Sequence, residues 1–305
     1  MQLISLLLLT TLCSCAIQNK RPSPTPATNS YFTASDGKRL PIRHWNLRAE
    51  PETVVIALHG VQGAARDFKN LGKALPKQSP RTTLYALNLR GSGYDPTPQN
   101  RGDIQTASLW QRDLREFNNS LRRRHPRAKF IWLGESMGSL VVINTLAESQ
   151  HPPDKVVLSS PVISADSIPA WQQSLLRTAA FLAPKARVSL EDLAGGSFQV
   201  TSNSEHFKQS ETNPYHVEKY SLRYIKNLGT LTKAMATEAA KTKQPVQILY
   251  GGKDFLTNQY EVEKFSQLFP SPPRVQQFKD SHHLLFYDTQ KKEVISALLA
   301  WISKP

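Results

Sequence analysis

Cysteine is nearly absent from this chain. Only two of its 305 residues are cysteines, and both lie within the first 15 positions, at Cys13 and Cys15. The rest of the chain therefore has no thiol for a disulfide framework, a zinc site or a cysteine nucleophile. If the chain is catalytic, we expect its nucleophile to be an oxygen atom, and we expect neither a metal nor a cofactor.

Acidic residues are also scarce relative to basic ones. The chain has 24 Asp and Glu against 38 Lys and Arg, which gives a formal net charge of +14. Such a charge suits nucleic acid or an anionic membrane surface. The basic residues are spread along the chain, however, and the one dense cluster is RRRHPR at residues 122–127. Because no zinc-finger spacing or aromatic–basic pattern accompanies it, we predict no nucleic-acid partner. We interpret the cluster as the end of a surface helix, with attraction to a lipid surface as the alternative.

The N-terminal apolar run is too short for a comfortable membrane span. It reads LISLLLL at residues 3–9, whereas a spanning helix needs about 20 apolar residues. The next residues, LCSC at 12–15, resemble a bacterial lipobox, although no Lys or Arg precedes the run. We therefore predict a signal peptide over residues 1–14 and a lipid on Cys15. The alternatives are an ordinary secretory signal and an N-terminal anchor.

Residues 15–30 are rich in Pro, Ser, Thr and Asn, with prolines at positions 22, 24 and 26. This composition is typical of an extended tether. Together with the predicted lipid, it predicts a protein anchored in the cell envelope, at the bacterial outer membrane or on the periplasmic side. Secretion without an anchor is the alternative.

Short apolar strand patterns alternate with helical patterns through most of the chain. A turn signal, SDG at residues 35–37, predicts an early hairpin. Further strands are predicted at residues 54–58, 82–89, 129–133, 155–158, 246–250 and 274–278, and helices at 64–75, 104–124, 167–182, 228–240 and 291–302. This alternation predicts an α/β fold with a mostly parallel sheet and helices on both faces.

The alternation stops between residues 162 and 245, where strand character is low and polar, irregular sequence separates helical patterns. We interpret residues 162–245 as a lid inserted into one domain, and we call this segment the lid insertion. The core of the domain is then predicted to consist of residues 31–161 and 246–305.

The most informative motif is GESMG at residues 134–138, which lies between an apolar strand pattern and an apolar helix pattern. A G-x-S-x-G motif in that setting is typical of a nucleophile elbow, where the chain turns sharply through an exposed serine. Gly134 and Gly138 fit because strand and helix approach too closely there for side chains. We predict that Ser136 attacks an acyl carbon. The alternative is a glycine-rich turn without chemistry.

A serine hydroxyl needs a histidine to accept its proton and an acid to orient that histidine. In this class of sheet the acid and then the histidine follow the serine along the chain, each after a strand. Asp254 follows the strand predicted at residues 246–250 and is the candidate acid. His282 and His283 both follow the next predicted strand. Adjacent residues on an extended loop point in different directions, so only one of them is expected to face the serine.

An oxyanion hole needs backbone N–H groups close to the nucleophile. One is expected from Met137, the residue after the serine. The other is expected from HGVQG at residues 59–63, where Val61 is the preferred donor. Gly60 lets the backbone curl toward the oxyanion, and His59 is expected to support the loop by hydrogen bonding.

These motifs together resemble the α/β-hydrolase fold and, within it, the monoacylglycerol lipase and lysophospholipase family. The resemblance covers about residues 31–303 and includes LRGSGY at 89–94, SP at 160–161, GKD at 252–254 and HLL at 283–285. The family's catalytic histidine is followed by two mostly aliphatic residues, so it maps to His283. Two departures are Asn88, where the second loop usually has aspartate, and Ser139, where glycine is common.

The resemblance implies a serine hydrolase that cleaves carboxylic esters of acyl lipids through an acyl-enzyme. Apolar residues at 171–182 of the lid insertion either face the acyl chain or pack on the sheet. One alternative is cleavage of an amide, lactone or carbon–carbon bond by the same triad. An aminopeptidase would need acidic lid residues, and the candidates are Glu191, Asp192, Glu205 and Glu211. Another alternative is a non-catalytic binding protein on the same scaffold. The acyl length, the head group and the oligomeric state stay open.

Overall fold

The computed structural model describes residues 30–164, 170–194, 199–204 and 213–304. The predicted signal peptide, Cys15 and the tether through residue 29 lie outside this range, as do Glu205 and Glu211. The strands are β1 (Tyr31–Thr33), β2 (Arg39–Trp45), β3 (Thr53–Leu58), β4 (Thr82–Leu87), β5 (Lys129–Glu135), β6 (Lys155–Ser159), β7 (Arg187–Ser189), β8 (Lys219–Ser221), β9 (Val246–Gly251) and β10 (Arg274–Phe278). The helices are α1 (Lys69–Gln78), α2 (Ser108–Arg124), α3 (Met137–Leu146), α4 (Ala170–Leu182), α5 (Leu190–Ala194), α6 (Leu222–Ala239), α7 (Gln259–Ser266) and α8 (Lys291–Ile302). None of these described helices combines the length and the apolar character that crossing a bilayer requires.

Eight strands form one sheet in the order β1-β2-β4-β3-β5-β6-β9-β10. β2 pairs antiparallel with both β1 and β4, whereas all the other neighbours are parallel. The central strands β3, β4, β5 and β9 are buried along almost their whole length. Burial on both faces explains why they read as continuous apolar runs in the sequence. The predicted α/β class, with a mostly parallel sheet, is confirmed.

Helices cover both faces of this sheet. α1 and α8 pack on one face, against side chains that include Ile131 of β5. α2, α3 and α6 pack on the other face, against side chains that include Trp132 of the same strand. Successive residues of a strand point to opposite faces, so one apolar strand supplies both cores.

Three of the described helices begin at residues other than those predicted. The helix expected from residue 64 begins at Lys69, after the 3-10 turn at Ala65–Phe68. The helix expected from residue 104 begins at Ser108, because Asn227 of α6 binds the backbone before it. The side-chain amide of Asn227 accepts from Ala107 N at 3.1 Å and donates to Ile104 O at 3.3 Å. α6 itself begins at Leu222, ahead of the predicted start at 228. Its N-cap is Ser221, whose Oγ accepts from the backbone of the first turn.

The lid insertion contains two strands that the sequence did not indicate. β7 and β8 form a separate antiparallel pair, in which Val188 lies opposite Tyr220. Three-residue strands are too short to show a period in the sequence. Ser221 N donates to Gly102 O at 2.8 Å, which joins β8 to the loop after β4. The insertion therefore contacts the side of the sheet at which the carboxyl ends of the parallel strands lie.

Gly138 allows α3 to lie directly against the sheet. A Cβ atom at this position would lie 2.1 Å from the carbonyl oxygen of Leu58 in β3. We expect Gly138→Ala to lower the free energy of unfolding by about 2 kcal/mol or more, because the buried strand has no room to move. Urea unfolding followed by circular dichroism measures the change.

Gly229→Ala is the matched control. Gly229 lies within α6, and a Cβ atom there would meet nothing within 4 Å. This substitution should raise the free energy of unfolding by about 0.5–1 kcal/mol, because alanine is the better helix former. A Gly138→Ala protein as stable as the wild type would contradict the described packing.

Candidate active site

Ser136 lies on a sharp turn between β5 and α3. Its backbone has φ 53° and ψ −116°, a conformation that non-glycine residues rarely adopt and that stores strain. Its N–H donates to Ser159 O in β6 at 2.9 Å, which fixes the turn to the sheet. Ser139, where the family commonly has glycine, donates from Oγ to Gly134 O at 2.8 Å. This departure therefore adds a bond within the elbow.

The structure brings Ser136, His283 and Asp254 together. His283 Nε2 lies 2.8 Å from Ser136 Oγ, and His283 Nδ1 lies 2.8 Å from Asp254 Oδ2. A carboxylate can only accept, so Nδ1 carries the ring proton and Nε2 is free to accept the serine proton. All three side chains are buried. This is the arrangement in which a histidine can act as the base for a serine.

Asp254 is held in place by the loop after β9. Its Oδ1 accepts from Leu256 N at 2.9 Å and from Thr257 N at 3.2 Å. Thr257 Oγ1 in turn donates at 3.0 Å to the carbonyl oxygen of Pro161, the last core residue before the lid insertion. The carboxylate thus has a fixed orientation toward the imidazole.

His282 does not face the serine. Its Nδ1 lies 3.0 Å from Asp288 Oδ2, so the two adjacent histidines serve two different acids. The assignment of the candidate base to His283 agrees with this geometry. The sequence does not indicate Asp288, because no motif marks an acid at that spacing.

The loop expected to carry the second oxyanion donor passes close to the nucleophile. A Cβ atom on Gly60 would lie 3.0 Å from Ser136 Cβ, so glycine allows this approach. Gly63 N donates to Gly60 O at 3.1 Å and closes a turn around Val61. Met137 is the first residue of α3, so its N–H has no acceptor within the helix. Met137 thus directly follows Ser136, and the loop that carries Val61 approaches Ser136 at Gly60.

His59 supports this loop from behind. Its Nδ1 lies 2.7 Å from Gly60 O, and its Nε2 accepts from Leu89 N at 3.0 Å. Burial lowers the pKa of His59 to about 4, which keeps the ring neutral near pH 7. A neutral ring can donate through one nitrogen and accept through the other, as these contacts require.

Two further side chains fix the end of the loop. Asn88 Oδ1 accepts from Ala65 N at 2.9 Å, so the amide that replaces the usual aspartate still anchors the backbone. Asp67 Oδ2 accepts from Ala64 N at 2.7 Å. Asp67 was not singled out in the sequence, since its role depends on a short 3-10 turn at Ala65–Phe68.

A buried acid lies next to the nucleophile in the sequence. Glu135 is 2% exposed, and its Oε1 has no hydrogen-bond partner among the described residues. Alternate residues of a strand point to the same face, so Glu135 lies with Ile131 and Leu133 of β5 on the face covered by α1 and α8. Burial, with a further contribution from the charge of Asp67, raises the pKa of Glu135 to about 8. Glu135 is therefore mostly protonated at pH 7.

The lid insertion places an apolar helix face in solvent. In α4, Trp171 is 66% exposed and Phe181 is 80% exposed, and Leu175 and Leu182 are exposed as well. These four side chains therefore do not pack on the sheet, which was one of the two expectations for residues 171–182. Leu176 is half-buried. The candidate acids Glu191 and Asp192 are exposed in the first turn of α5.

The raised pKa of Glu135 predicts a pH-dependent stability. Between about pH 5 and pH 8 the folded protein keeps a proton that the unfolded chain, with a glutamate pKa of about 4.3, releases. The contribution of Glu135 to the free energy of unfolding is therefore fully present at low pH and is lost as the pH rises toward 8. Glu135→Gln mimics the protonated acid, so its stability relative to the wild type should grow with pH by up to about 1.4 kcal/mol per unit.

Urea unfolding at several pH values tests this expectation. Glu293→Gln, at an exposed position in the first turn of α8, is the control and should show a constant difference from the wild type. The same constant difference for Glu135→Gln would mean that Glu135 is ionised in the folded protein.

Comparisons with known proteins identify the family to which the chain belongs. A family model described as serine aminopeptidase, S33, matches residues 49–290. The chain is also similar to monoglyceride lipase of Rattus norvegicus, with 26% identity over 153 residues, 48% of each chain. The chain thus spans about half the length of the curated relatives it matches.

Two solved structures share the fold over nearly the whole chain. Paleococcus ferrophilus monoacylglycerol lipase has a TM-score of 0.73 at 20% identity and covers 86% of this chain and 98% of its own. A soluble variant of monoglyceride lipase from Saccharomyces cerevisiae, in complex with a substrate analog, has a TM-score of 0.76 at 18% identity, with coverage of 90% and 94%. Because the family model matches well over half of the chain, this protein belongs to the serine aminopeptidase S33 family of hydrolases and has the α/β-hydrolase fold.

Proposed function

We propose that this protein is a serine hydrolase that cleaves carboxylic esters of acyl lipids, of the monoacylglycerol or lysophospholipid type. The observation that carries the proposal is the chain of contacts from Ser136 Oγ through His283 to Asp254, with 2.8 Å at each step. The oxygen nucleophile, the base and the orienting acid are all in hydrogen-bond contact, as acyl transfer requires.

In the proposed reaction His283 acts first as a base and then as an acid. Its Nε2 takes the proton of Ser136 while Oγ attacks the ester carbonyl carbon. The imidazolium is stabilised by the carboxylate of Asp254. His283 then gives the proton to the alcohol oxygen as the carbon–oxygen bond of the ester breaks, and an acyl-enzyme remains on Ser136.

We assign the stabilisation of the negatively charged oxygen of the tetrahedral intermediate to the N–H groups of Met137 and Val61. Met137 N–H also lies at the N-terminus of α3, where the helix dipole favours an anion. His283 then takes a proton from water, which attacks the acyl-enzyme. As the bond between the acyl carbon and Ser136 Oγ breaks, His283 returns the proton to Oγ and the carboxylic acid is released.

The choice of an acyl lipid rests on the lid insertion. The exposed side chains of Trp171, Leu175 and Leu182 recur on one side of α4, at a spacing that forms an apolar stripe. An acyl chain is the part of the substrate that such a surface would favour by burial. Two proteins similar to this chain also carry the name monoglyceride lipase.

An aminopeptidase that uses the same triad is the second candidate, because the matching family model is described as serine aminopeptidase. Such an enzyme must bind a substrate ammonium group through acidic side chains. Glu191 and Asp192 are available on the surface of the lid insertion. A non-catalytic binding protein is less well supported, since no member of the triad has been replaced.

The purified full chain should hydrolyse a short-chain nitrophenyl ester, and Ser136→Ala should reduce kcat by about 10⁴-fold or more because the nucleophile is lost. A panel of monoacylglycerol, lysophospholipid and aminoacyl substrates then separates the two candidate activities. Ser139→Ala, which keeps the attacking hydroxyl, is the control for damage to the elbow. Full activity of a folded Ser136→Ala protein would rule out the proposal, and a preference for aminoacyl substrates would favour the second candidate.

We also propose that the protein is attached to the membrane through a lipid on Cys15, a proposal supported by the sequence of residues 12–15. Metabolic labelling with palmitate in a bacterial host should mark the wild type and leave Cys15→Ser unlabelled. Cys13→Ser is the matched control and should keep the label. Labelling of Cys15→Ser would contradict the proposal, and an unlabelled wild type would favour ordinary secretion.

A further inference from the structure

The two adjacent histidines after β10 point in different directions. His283 faces Ser136, whereas His282 Nδ1 lies 3.0 Å from Asp288 Oδ2 and 3.1 Å from Ser202 Oγ. Because a carboxylate only accepts, His282 donates its Nδ1 proton to Asp288 and shares it with the serine hydroxyl. His282 therefore joins the catalytic loop to residue 202 of the lid insertion.

Asp288 is the centre of this contact. It is buried, and it accepts from the backbone N–H groups of His282 at 2.5 Å, Ser202 at 3.0 Å and Thr289 at 2.8 Å. Burial alone favours the neutral acid, but these hydrogen bonds and the imidazole of His282 outweigh it and lower the pKa of Asp288. Asp288 is thus a carboxylate whose donors come from both the catalytic loop and the lid insertion.

Residues 199–204 of the lid insertion make further bonds to the same loop. Leu284 N donates to Val200 O at 2.9 Å, directly after the catalytic histidine. Asn203 Nδ2 donates to Tyr287 O at 3.2 Å. The segment is therefore bonded to the chain on both sides of His283.

We propose that His282 is a positioning residue that, with Asp288 and Ser202, fastens the lid insertion to the loop carrying His283. We call these three residues the clasp. The inference rests on the proposed function, because it takes His283 to be the base for Ser136. His283 is then held on one side by Asp254 and on the other by the clasp. The lid insertion thereby contributes to the placement of the base as well as to the surface met by the substrate.

Loss of the imidazole should act on the rate of the chemical step. Without it, Asp288 loses a donor and the backbone around His283 loses one of its ties to residues 199–204. A catalytic group that is misplaced by about 1 Å costs up to about 100-fold in rate, so we expect His282→Ala to lower kcat by about 10-fold or more. KM for a short-chain nitrophenyl ester should change little, because the proposed role of the clasp is to place His283 and not to bind the substrate.

A conservative variant distinguishes positioning from simple loss of packing. In His282→Asn the amide nitrogen can take the place of Nδ1 and donate to Asp288. We therefore expect His282→Asn to recover most of the kcat that His282→Ala loses. His151→Ala is the control. His151 is exposed and distant in sequence from His282, so this substitution should leave kcat unchanged. Urea midpoints of all variants show whether each one is folded.

A double-mutant cycle with Ser202→Ala tests the link to the lid insertion. If the two residues act through one clasp, Ser202→Ala lowers kcat in the wild-type background and has little further effect in His282→Ala. Effects that simply multiply would mean that His282 acts within its own loop, which would overturn the proposed link to the lid insertion.

The rate at which a fluorophosphonate modifies Ser136 gives a second readout that does not depend on the natural substrate. We expect this rate to fall in His282→Ala and to return in His282→Asn, in parallel with kcat. If the wild type is modified rapidly and a folded His282→Ala reacts equally fast, the clasp proposal alone is wrong. If the wild type neither reacts nor hydrolyses any ester of the panel, the proposed function is wrong.

Discussion

The contact between the first turn of α3 and the ends of β3 and β5 is the constraint on which this structure depends. Its tightness shows in Gly134 and Gly138, where any added Cβ would run into backbone atoms. At this contact Ser136 adopts a positive φ, which costs about 1–3 kcal/mol. Two buried cores, one on each face of the sheet, hold the strained turn in place.

The same constraint decides where the other polar groups lie. Parallel strands end at one edge of the sheet, so the loops after β3, β9 and β10 meet there around the elbow. The loops after β9 and β10 supply a carboxylate and an imidazole, and the loop after β3 carries the predicted backbone donor. Polar groups that accompany them are placed just beneath this edge. Glu135 keeps its proton there, whereas Asp67 and Asp288 bind backbone N–H groups.

The sequence indicated the three side chains that the structure brings together, Ser136, Asp254 and His283, but not the residues that support them. Ser136 and Asp254 each follow a strongly apolar strand, and strands of this kind are visible in one sequence, whereas the strand before His283 is RVQQF and largely polar. The C-terminal helix was also placed correctly at 291–302. By contrast, the start of α2 depends on Asn227, which lies far away in the chain. No local pattern reports such a contact.

The supporting acids were missed for a related reason. Glu135 sits inside the motif itself, yet nothing in the sequence distinguishes an acid that is buried and protonated from one in solvent. The strands β7 and β8 are too short to show a period. The orientation of α4 was left open by its sequence, because an apolar stripe suits a core and a binding surface equally. In the fold its stripe is exposed.

The position of the lid insertion gives the fold a modular character. It leaves the sheet after β6 and returns at β9, and these two strands are parallel neighbours, with Val156 opposite Val246. Because the strands are parallel, the sheet fixes the start of the insertion at the carboxyl end of β6 and its end at the amino end of the neighbouring β9. The entropy of closing such a loop grows only slowly with its length, so the sheet can accept insertions of very different size. An insertion exchanged for this one would nevertheless need a residue that binds Asp288. Only insertions that can also contact the loop carrying His283 would therefore be compatible with the fold.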